Sequence, residues 1–214
     1  MRVLVGCEYS GRVREAFRAL GHEAWSCDLD PSEDDSPYHV QDDLLRVIKN
    51  SAKKTGRPSW DLMIAHPPCT YLCGSGMHWT TRGLRDPQLT EDALEFFLAL
   101  YHCDIPKVVL ENPVGIISTR FRKFDQMIQP YQFGDDASKR TCLWVRGVDP
   151  LVIPPESEWH PPRMVYHNGK LAKRWGNQGD SGRDNHPEND RRAKDRSRTF
   201  PGIAKAMAIQ WGVC

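Results

Sequence analysis

The 214-residue sequence has no apolar run near the roughly 18 residues that a membrane-spanning helix needs, and it has no internal repeat. These absences exclude a membrane span and a solenoid. Basic and acidic side chains nearly balance, 29 against 28, so overall charge indicates no polyanionic partner. The seven cysteines are odd in number and unevenly spaced, and no signal-peptide pattern precedes them. We therefore expect reduced thiols in a soluble, cytoplasmic protein that does not engage a membrane.

The central stretch, Trp60–Trp79, predicts a strand that ends at a site. Leu62–Ala65 is a short apolar run, and His66-Pro67-Pro68-Cys69 and a Gly-rich turn follow it. A run of this length bounded by Pro and Gly favours a buried strand over a helix. The prolines stiffen the chain, so Cys69 would lie on a rigid turn at the strand's carboxyl end, where open α/β sheets bind ligands. Cys69 is therefore a candidate nucleophile; a buried structural cysteine is the alternative.

The first 30 residues have the pattern of a nucleotide-binding βαβ unit. An apolar run over 2–5 enters the loop Gly6–Gly11, residues 12–20 have helical spacing, and residues 22–27 predict a second strand that leads to Asp28. Glycines let a ligand approach the backbone, and an acid after the second strand can accept both hydroxyls of a ribose. Many α/β proteins begin similarly, so the pattern by itself is of moderate specificity.

Further along the chain, helices and strands continue to alternate. We predict helices from Thr90 to Tyr101, over 121–128 and over 202–211, and strands over 107–110 and 141–145. The strand over 107–110 leads into Glu111-Asn112-Pro113, so polar residues again follow a strand end. The alternation predicts an α/β fold with a central, mostly parallel sheet.

Residues 154–196 differ from the rest of the chain because they lack hydrophobic periodicity. From Arg163 to Arg198 there are ten basic and five acidic side chains, with isolated aromatic residues before and among them. A solvated loop is one interpretation; a groove for a phosphate backbone, with bases stacked on aromatic rings, is the other. We expect one domain formed by 1–150 and 197–214 and a small basic target-recognition segment over 151–196.

Taken in order, these motifs resemble those of the cytosine-C5 methyltransferases, in particular the short phage-type members. The Gly-containing loop, Asp28, the Pro-Pro-Cys turn and Glu111-Asn112 occur in the family's order, and 197–208 resembles its last motif. The resemblance covers about residues 1–150 and 197–212. It implies a Rossmann-like methyltransferase fold, S-adenosylmethionine as cofactor and DNA as partner.

The resemblance also assigns roles to individual residues. Asp28 stands at the acid that holds the ribose of the cofactor, and Asp43 resembles the acid near the adenine. The positions that correspond to the cofactor pocket are Gly6, Cys7, Glu8, Tyr9, Ser10, Gly11, Asp28, Asp43, Pro67 and Arg198. Cys69 takes the place of the nucleophile and Glu111 that of the carboxyl that contacts the target base.

The chemistry explains why these residue types are needed. Cytosine C5 is a poor nucleophile, so a thiolate adds to C6 and pushes electron density onto C5. Protonation of N3, or a hydrogen bond to it, helps this addition, which is a task for a carboxyl such as Glu111. We expect the apolar run Val108–Leu110, with Pro113, to desolvate Glu111 and hold it near neutrality.

The sequence departs from the family pattern in three places. In the expected Gln-x-Arg-x-Arg strand, Lys139 and Thr141 take the arginine positions if Ala137 takes the glutamine, and Lys139 is our candidate for contact with the base or phosphate. The recognition segment is short, which predicts low sequence specificity or a single-stranded or nucleotide substrate. Arg198 stands where the family usually has an asparagine, and a cation there requires an anionic partner.

Arg198 leaves several partners open. It could bind the carboxylate of carboxy-S-adenosylmethionine, which would make the product 5-carboxymethylcytosine, or it could contact DNA phosphate or a nearby acid. A non-catalytic DNA-binding derivative of the fold is a further alternative. Cys69, Cys73, His66 and His78 invite a zinc interpretation, but the spacing is unusual and no second ligand pair follows, so we expect no metal.

Overall fold

The computed structural model describes residues 1–55, 60–183 and 197–213. The strands are β1 Arg2–Gly6, β2 Glu23–Asp28, β3 His39–Gln41, β4 Leu62–Ala65, β5 Lys107–Pro113, β6 Gln126–Ile128, β7 Thr141–Arg146, β8 Arg163–His167 and β9 Lys170–Arg174. The α-helices are α1 Arg12–Ala19, α2 Leu44–Thr55, α3 Gly74–Thr81, α4 Gln88–Tyr101, α5 Ile117–Arg120 and α6 Pro201–Trp211. In the part of the chain described, no helix combines the length and apolarity that crossing a membrane requires.

A seven-stranded sheet with the order β3-β2-β1-β4-β5-β7-β6 forms the centre of the molecule. The strands β1 to β5 pair in parallel, and β7 is antiparallel to both β5 and β6. Helices connect β1 to β2, β3 to β4 and β4 to β5, as parallel pairing requires a crossover, and a loop connects β2 to β3. The predicted α/β fold with a mostly parallel, Rossmann-like central sheet is confirmed.

The two faces of the sheet bury separate hydrophobic clusters. On β1, Val3 and Val5 face one side and Leu4 the other, because successive side chains of a strand alternate. Helices α1 and α6 cover the first face, where Phe17 and Met207 are fully buried. Helices α2 and α4 cover the second. Burial on both faces explains why the inner strands are continuous apolar runs in the sequence.

The order of the strands reverses between β1 and β4, and this reversal positions the candidate site. From β1 the chain builds β2 and β3 on one side, then crosses to β4 and β5 on the other. The register aligns Gly6 with Ala65 and Ala65 with Leu110, so the parallel pairing of β1, β4 and β5 ends at one level, and β5 continues to Pro113 beside β7. A crevice at the carboxyl ends of the strands beside such a reversal is where open α/β sheets bind ligands.

The helix predicted over 121–128 is wrong. Phe121, Phe124 and Ile128 have helical spacing, but the segment is extended and ends in the edge strand β6, which pairs with β7. The ring of Phe124 packs edge-on against the buried Trp144 at 6.1 Å. The apolar spacing therefore arises from a loop that packs on Trp144 and an edge strand whose Ile128 is buried in the cluster on the other face of the sheet, not from a helix face.

The hairpin β8–β9 was not predicted from the sequence. Its strands pair antiparallel, with Tyr166 opposite Leu171 and Met164 opposite Lys173. Every residue of the two strands is exposed or half-buried. Neither face of the hairpin therefore requires apolar residues, and the sequence shows no alternation of apolar and polar residues. Residues 184–196, which include the basic residues Arg191 to Arg196, lie outside the described part of the chain.

Candidate active site

The turn that carries Cys69 is tied to the neighbouring strands. The backbone N–H of His66 donates to the Gly6 carbonyl at 3.0 Å, and the buried Asn112 side chain donates through Nδ2 to the Pro67 carbonyl at 2.8 Å. Beyond Cys69, the Ile116 N–H donates to the Leu72 carbonyl at 2.9 Å. Proline supplies no backbone donor of its own, so these bonds from outside the turn hold Cys69 in place.

The Glu111 carboxylate lies at the centre of a buried charge cluster. It is 7% exposed; its Oε2 is 2.7 Å from His66 Nδ1 and its Oε1 is 3.5 Å from Lys139 Nζ. Burial acts to raise the pKa of Glu111, but the Lys139 ammonium and the hydrogen bond from His66 outweigh it and lower the pKa to about 2. The expectation of a near-neutral carboxyl is therefore wrong: Glu111 is an anion at neutral pH.

Cys69, Glu111 and Lys139, which come from three different parts of the sequence, lie close enough to influence one another. The hydrogen bond to Cys73 and burial raise the pKa of the Cys69 thiol, Lys139 opposes that rise, and Glu111 adds to it. Lys139 precedes β7, so its ammonium reaches the end of β5 from the adjacent antiparallel strand. The arrangement combines a thiol, a carboxylate and an ammonium at one end of the sheet.

A second cysteine, Cys73, shares the proton of the Cys69 thiol. Cys73 is the N-cap of α3, and its Sγ accepts from the Gly76 N–H at 3.4 Å and lies 3.2 Å from Ser75 Oγ. The hydrogen bond from Cys69 outweighs burial and, with these contacts, lowers the pKa of Cys73 to about 5. These contacts favour a negative charge on Cys73 over one on Cys69.

The loop Gly6–Gly11 forms a tight turn with two residues in the left-handed region. Cys7 and Gly11 both have positive φ, 53° and 69°, and Cys7 is a side-chain-bearing residue in that region. A Cβ at Gly11 would lie 2.2 Å from Arg14 Nη2, so glycine is required there by both conformation and space. The loop thus begins at Gly6, the last residue of β1, and ends at Gly11, directly before α1.

Glu8, a predicted cofactor contact, binds the protein's own backbone. It is 4% exposed, and its two oxygens accept from the N–H groups of Val13 at 2.7 Å and Arg14 at 3.2 Å. It therefore satisfies free donors at the start of α1, and a carboxylate there is stabilised by the helix dipole. Glu8 is a structural residue that shapes the loop.

The last motif returns to this loop, as the resemblance implies. Ser197 Oγ lies 3.3 Å from Tyr9 Oη, and Arg12 Nη1 donates to the Thr199 carbonyl at 3.0 Å. Arg198 forms an ion pair with Glu33, with Nε to Oε2 at 3.0 Å. Glu33 is therefore the nearby acid that the sequence left open as one partner of Arg198.

The two acids assigned to the nucleoside part of a cofactor stand on the same side of the molecule. Asp28 ends β2 and is half-buried, and burial raises its pKa although the Asp30 N–H donates to Oδ1 at 3.0 Å. Asp43 precedes α2 and accepts from the Arg46 N–H at 2.8 Å. Both carboxylates act to raise the pKa of the buried Cys7 thiol, so they flank the loop Gly6–Gly11.

The hairpin β8–β9 is anchored beside Lys139. The ring of Trp175 stacks on Tyr131 with centroids 4.2 Å apart, and Asn177 exchanges two hydrogen bonds with the backbone of Ser138, at 2.9 and 3.0 Å. Ser138 directly precedes Lys139. The hairpin is thus attached to the same short segment that delivers the ammonium to Glu111.

Two residues of the site were not assigned from the sequence as part of this chemistry. His66 bonds Glu111, and its Nε2 lies 3.5 Å from Thr199 Oγ1. The signal for His66 was its position directly before Pro67; Thr199 had none, because it comes from 133 residues away. Within the described residues no three histidine, cysteine or acidic side chains are arranged to hold a metal ion.

Comparison with known proteins adds little to this geometry. No protein-family model matches the chain, and no curated protein matches it. Among solved structures, the methyltransferase EhMeth of Entamoeba histolytica is similar at 13% identity and a TM-score of 0.46, over 78% of this chain and 60% of that one. The chain therefore spans about three fifths of the length of that protein.

Proposed function

We propose that this protein is a DNA cytosine-C5 methyltransferase that uses S-adenosylmethionine and a covalent adduct through Cys69. The observation that supports it most is the meeting of Cys69, Glu111 and Lys139 at the carboxyl ends of β4 and β5. A thiol, a carboxylate and a cation at one point match what addition to a pyrimidine ring requires.

The residues around Gly6–Gly11 fit the proposed cofactor. Asp28 is a half-buried carboxylate at the end of β2 whose charged form would gain from donors such as ribose hydroxyls. Asp43 would accept from the adenine, and the tight turn at Gly6 and Gly11 would let the ligand approach the backbone. When bound, the sulfonium group would supply an electrophilic methyl group.

The nucleophile needs a thiolate on Cys69, whereas the resting charge is on Cys73. A proton moved along the hydrogen bond from Cys69 to Cys73 generates it, and the nearby Lys139 ammonium stabilises the new charge. The Cys69 sulfur then bonds to C6 and electron density moves to C5. Because the bond from Asn112 fixes the Pro67 carbonyl, the sulfur is positioned before substrate arrives.

Glu111 and Lys139 would act on the polar edge of the target base. The ionised Glu111 accepts a hydrogen bond from the cytosine amino group or from a protonated N3. Lys139, at 3.5 Å from the carboxylate, balances its charge and can contact the base or a phosphate. A target base must leave a duplex stack to reach this buried carboxylate.

The hairpin β8–β9 supports DNA as the partner. One of its faces carries Tyr166, Leu171 and Met164, which are 77%, 58% and 50% exposed, opposite or beside the exposed Lys173. An exposed aromatic ring beside a cation is the kind of surface on which nucleic-acid bases stack. Trp175 and Asn177 attach this face next to Lys139, so DNA bound there would reach the site.

The test is mass spectrometry of nucleosides from DNA of cells that express the protein, compared with Cys69→Ala. We expect 5-methylcytosine with the wild-type protein and none with the variant. A cytosine heavier by a carboxymethyl group would identify Arg198, freed from Glu33, as a selector of a carboxylated donor. Absence of any modified cytosine would contradict the proposal and favour action on nucleotides or a DNA-binding protein without catalysis.

A further inference from the structure

The resting charge of Glu111 creates a problem for the proposed reaction. Cytosine N3 is a hydrogen-bond acceptor, and an ionised carboxylate is also only an acceptor. Two acceptors cannot bond each other, so a proton must reach this pair as negative charge builds on the ring. The inference below rests on the proposed function and concerns where that proton is held.

His66 is the group placed to hold it. Its Nδ1 lies 2.7 Å from Glu111 Oε2, and its side chain is 9% exposed. A short contact to a carboxylate requires a hydrogen on Nδ1, and Nε2 faces Thr199 Oγ1 at 3.5 Å, an oxygen that can accept from a second ring N–H. The bond from the His66 backbone to Gly6 keeps the ring between β1 and β5.

Two carboxyl groups and one ammonium face His66. Glu111 contacts it from β5, and the buried Glu8 faces it from the loop after β1. The pKa of Glu8 is raised by burial, and His66 acts to lower it, so the two groups attract each other electrostatically. Lys139 reaches the cluster from the segment before β7 and bonds the other oxygen of Glu111. Thr199, from the segment before α6, is uncharged.

We propose that His66 is a positioning residue that stores the proton which Glu111 passes to cytosine N3. As Cys69 adds to C6, the Nδ1–H bond of the imidazolium breaks and an Oε2–H bond forms; that bond then breaks as the N3–H bond forms. The thiolate's electron pair becomes the S–C6 bond, so an imidazolium and a thiolate become a neutral imidazole and a neutral adduct. The C5 proton then passes to solvent water, the C5–H electron pair forms the C5=C6 bond, and the S–C6 bond breaks to release the thiolate. The N3 proton returns through Glu111 to His66.

Lys139 is the competing proton source, and two observations favour His66. The Lys139 contact to Glu111 is longer, 3.5 Å against 2.7 Å. A lysine ammonium also normally keeps its proton across the neutral range, whereas imidazole is the side chain that gains and loses one there. Lys139 is suited to hold a charge and His66 to transfer a proton.

The experiment measures release of tritium from C5 of cytosine in DNA without a methyl donor, because the Cys69 adduct makes that hydrogen exchangeable. The wild-type protein is compared with His66→Asn and His66→Gln from pH 5.5 to 8.5. The amide of asparagine can replace the Nδ1–H donor without titrating, and that of glutamine reaches the Nε2 position instead. Thermal unfolding and DNA affinity of each variant control for folding and binding.

We expect wild-type exchange to fall as the pH rises, because only a protonated imidazole can donate the proton. Exchange by His66→Asn should be about 100-fold slower, within the range of general acid catalysis, with unchanged DNA affinity and without that fall. Unchanged rates and pH profiles in both variants would overturn this inference alone. No Cys69-dependent exchange by the wild-type protein at any pH would overturn the proposed function and this inference together.

Discussion

The site at the ends of β4 and β5 and the hairpin β8–β9 are built on opposite principles. Glu111 is 7% exposed and bonded on both oxygens, whereas Tyr166 is 77% exposed. The first region has its charges paired inside the protein because an unpaired buried charge is very costly. The second carries unburied apolar and basic groups that a partner could cover.

This difference separates the effects that substitutions should have. A change at the buried site removes a partner from a charge or a polar group, so it should affect catalysis and stability together. A change on the hairpin face removes no internal contact, so it should affect binding to DNA alone. Trp175 is the exception, because it belongs to both regions through its stack on Tyr131.

The largest effect expected is that of Glu111→Gln on activity. The amide keeps the shape but cannot receive or pass a proton, so methyl transfer should fall about 10²–10⁴-fold, the usual contribution of a general acid or base. Single-turnover methylation of DNA measures this. A loss below tenfold would mean that Glu111 has no role in proton transfer.

The same variant tests the buried charge through acid unfolding. The folded-state pKa of Glu111 lies near 2, below its ordinary 4.5, so its contribution to stability is present above pH 4.5 and is lost as the pH falls towards 2. Denaturant unfolding of Glu111→Gln should therefore depend less steeply on pH in that window than unfolding of the wild-type protein. Parallel curves would contradict the ionised state.

Asn112→Ala should have the next largest effect, because it releases the Pro67 carbonyl that holds the Cys69 turn. Removing one partner of a buried hydrogen bond costs about 1–3 kcal/mol of stability, and a displaced thiol should slow transfer by about 10²-fold. Chemical unfolding measures the loss of stability, and kcat measures the loss of activity.

Ser118→Ala is the control, since the buried Ser118 Oγ has no hydrogen-bond partner in the described chain. If Ser118→Ala lost as much stability and activity as Asn112→Ala, the losses could not be attributed to the bond from Asn112 to Pro67.

On the hairpin, Tyr166→Ala should weaken DNA binding by about 1–2 kcal/mol, roughly tenfold or more in Kd, as loss of a stacking platform does. The melting temperature should stay unchanged because the ring has almost no internal contact. Trp175→Ala should lower both the affinity and the melting temperature. Fluorescence anisotropy with single-stranded and duplex DNA measures Kd. If Tyr166→Ala bound DNA as tightly as the wild-type protein, the hairpin face would not be the DNA-binding surface.

The smallest effect concerns one thiolate. Cys73 has a pKa of about 5, so ultraviolet absorbance near 240 nm should show a thiolate at pH 7 that disappears in Cys73→Ser. Cys142→Ser is the matched control, since burial raises the pKa of Cys142 to about 11 and its removal should leave the signal intact. A signal that persists without Cys73 would place the charge on Cys69.

Local pattern was sufficient for most of the fold. Runs such as Leu62–Ala65 and Lys107–Leu110 lie in β4 and β5 because strands buried on both faces are recognisable as continuous apolar runs. It failed over 121–128, where Phe124 packs on Trp144 without forming a helix, and at β8–β9, where neither face is buried. Over 121–128 the deciding contact is with a distant part of the chain, whereas the hairpin pairs two strands that are only two residues apart in sequence.

For the candidate site, the sequence predicted several of the residues but not their contacts or their charge. Cys69 and Glu111 could be chosen because polar residues followed strand ends. Lys139 could be chosen because it takes an arginine position of the Gln-x-Arg-x-Arg strand that the family resemblance implies. His66 and Cys73 could not be given their roles, since these depend on contacts to Glu111 and Cys69 that only folding forms. The charge of Glu111 was predicted in the wrong direction for the same reason: the sequence displays its apolar neighbours, and its two cationic or hydrogen-bonding partners come from other elements.

The sequence by itself determined the alternation of helices and strands, and with it the end of the sheet at which the polar residues would gather. The spacing of apolar residues and the residue types of turns are local properties, so they can be recognised in the sequence without a structure. Only the tertiary structure decided the protonation of that site, because the pKa of Glu111 is a balance between burial and the distances to Lys139 and His66. Electrostatic interactions depend on separation in space, and separation along the chain does not reveal it.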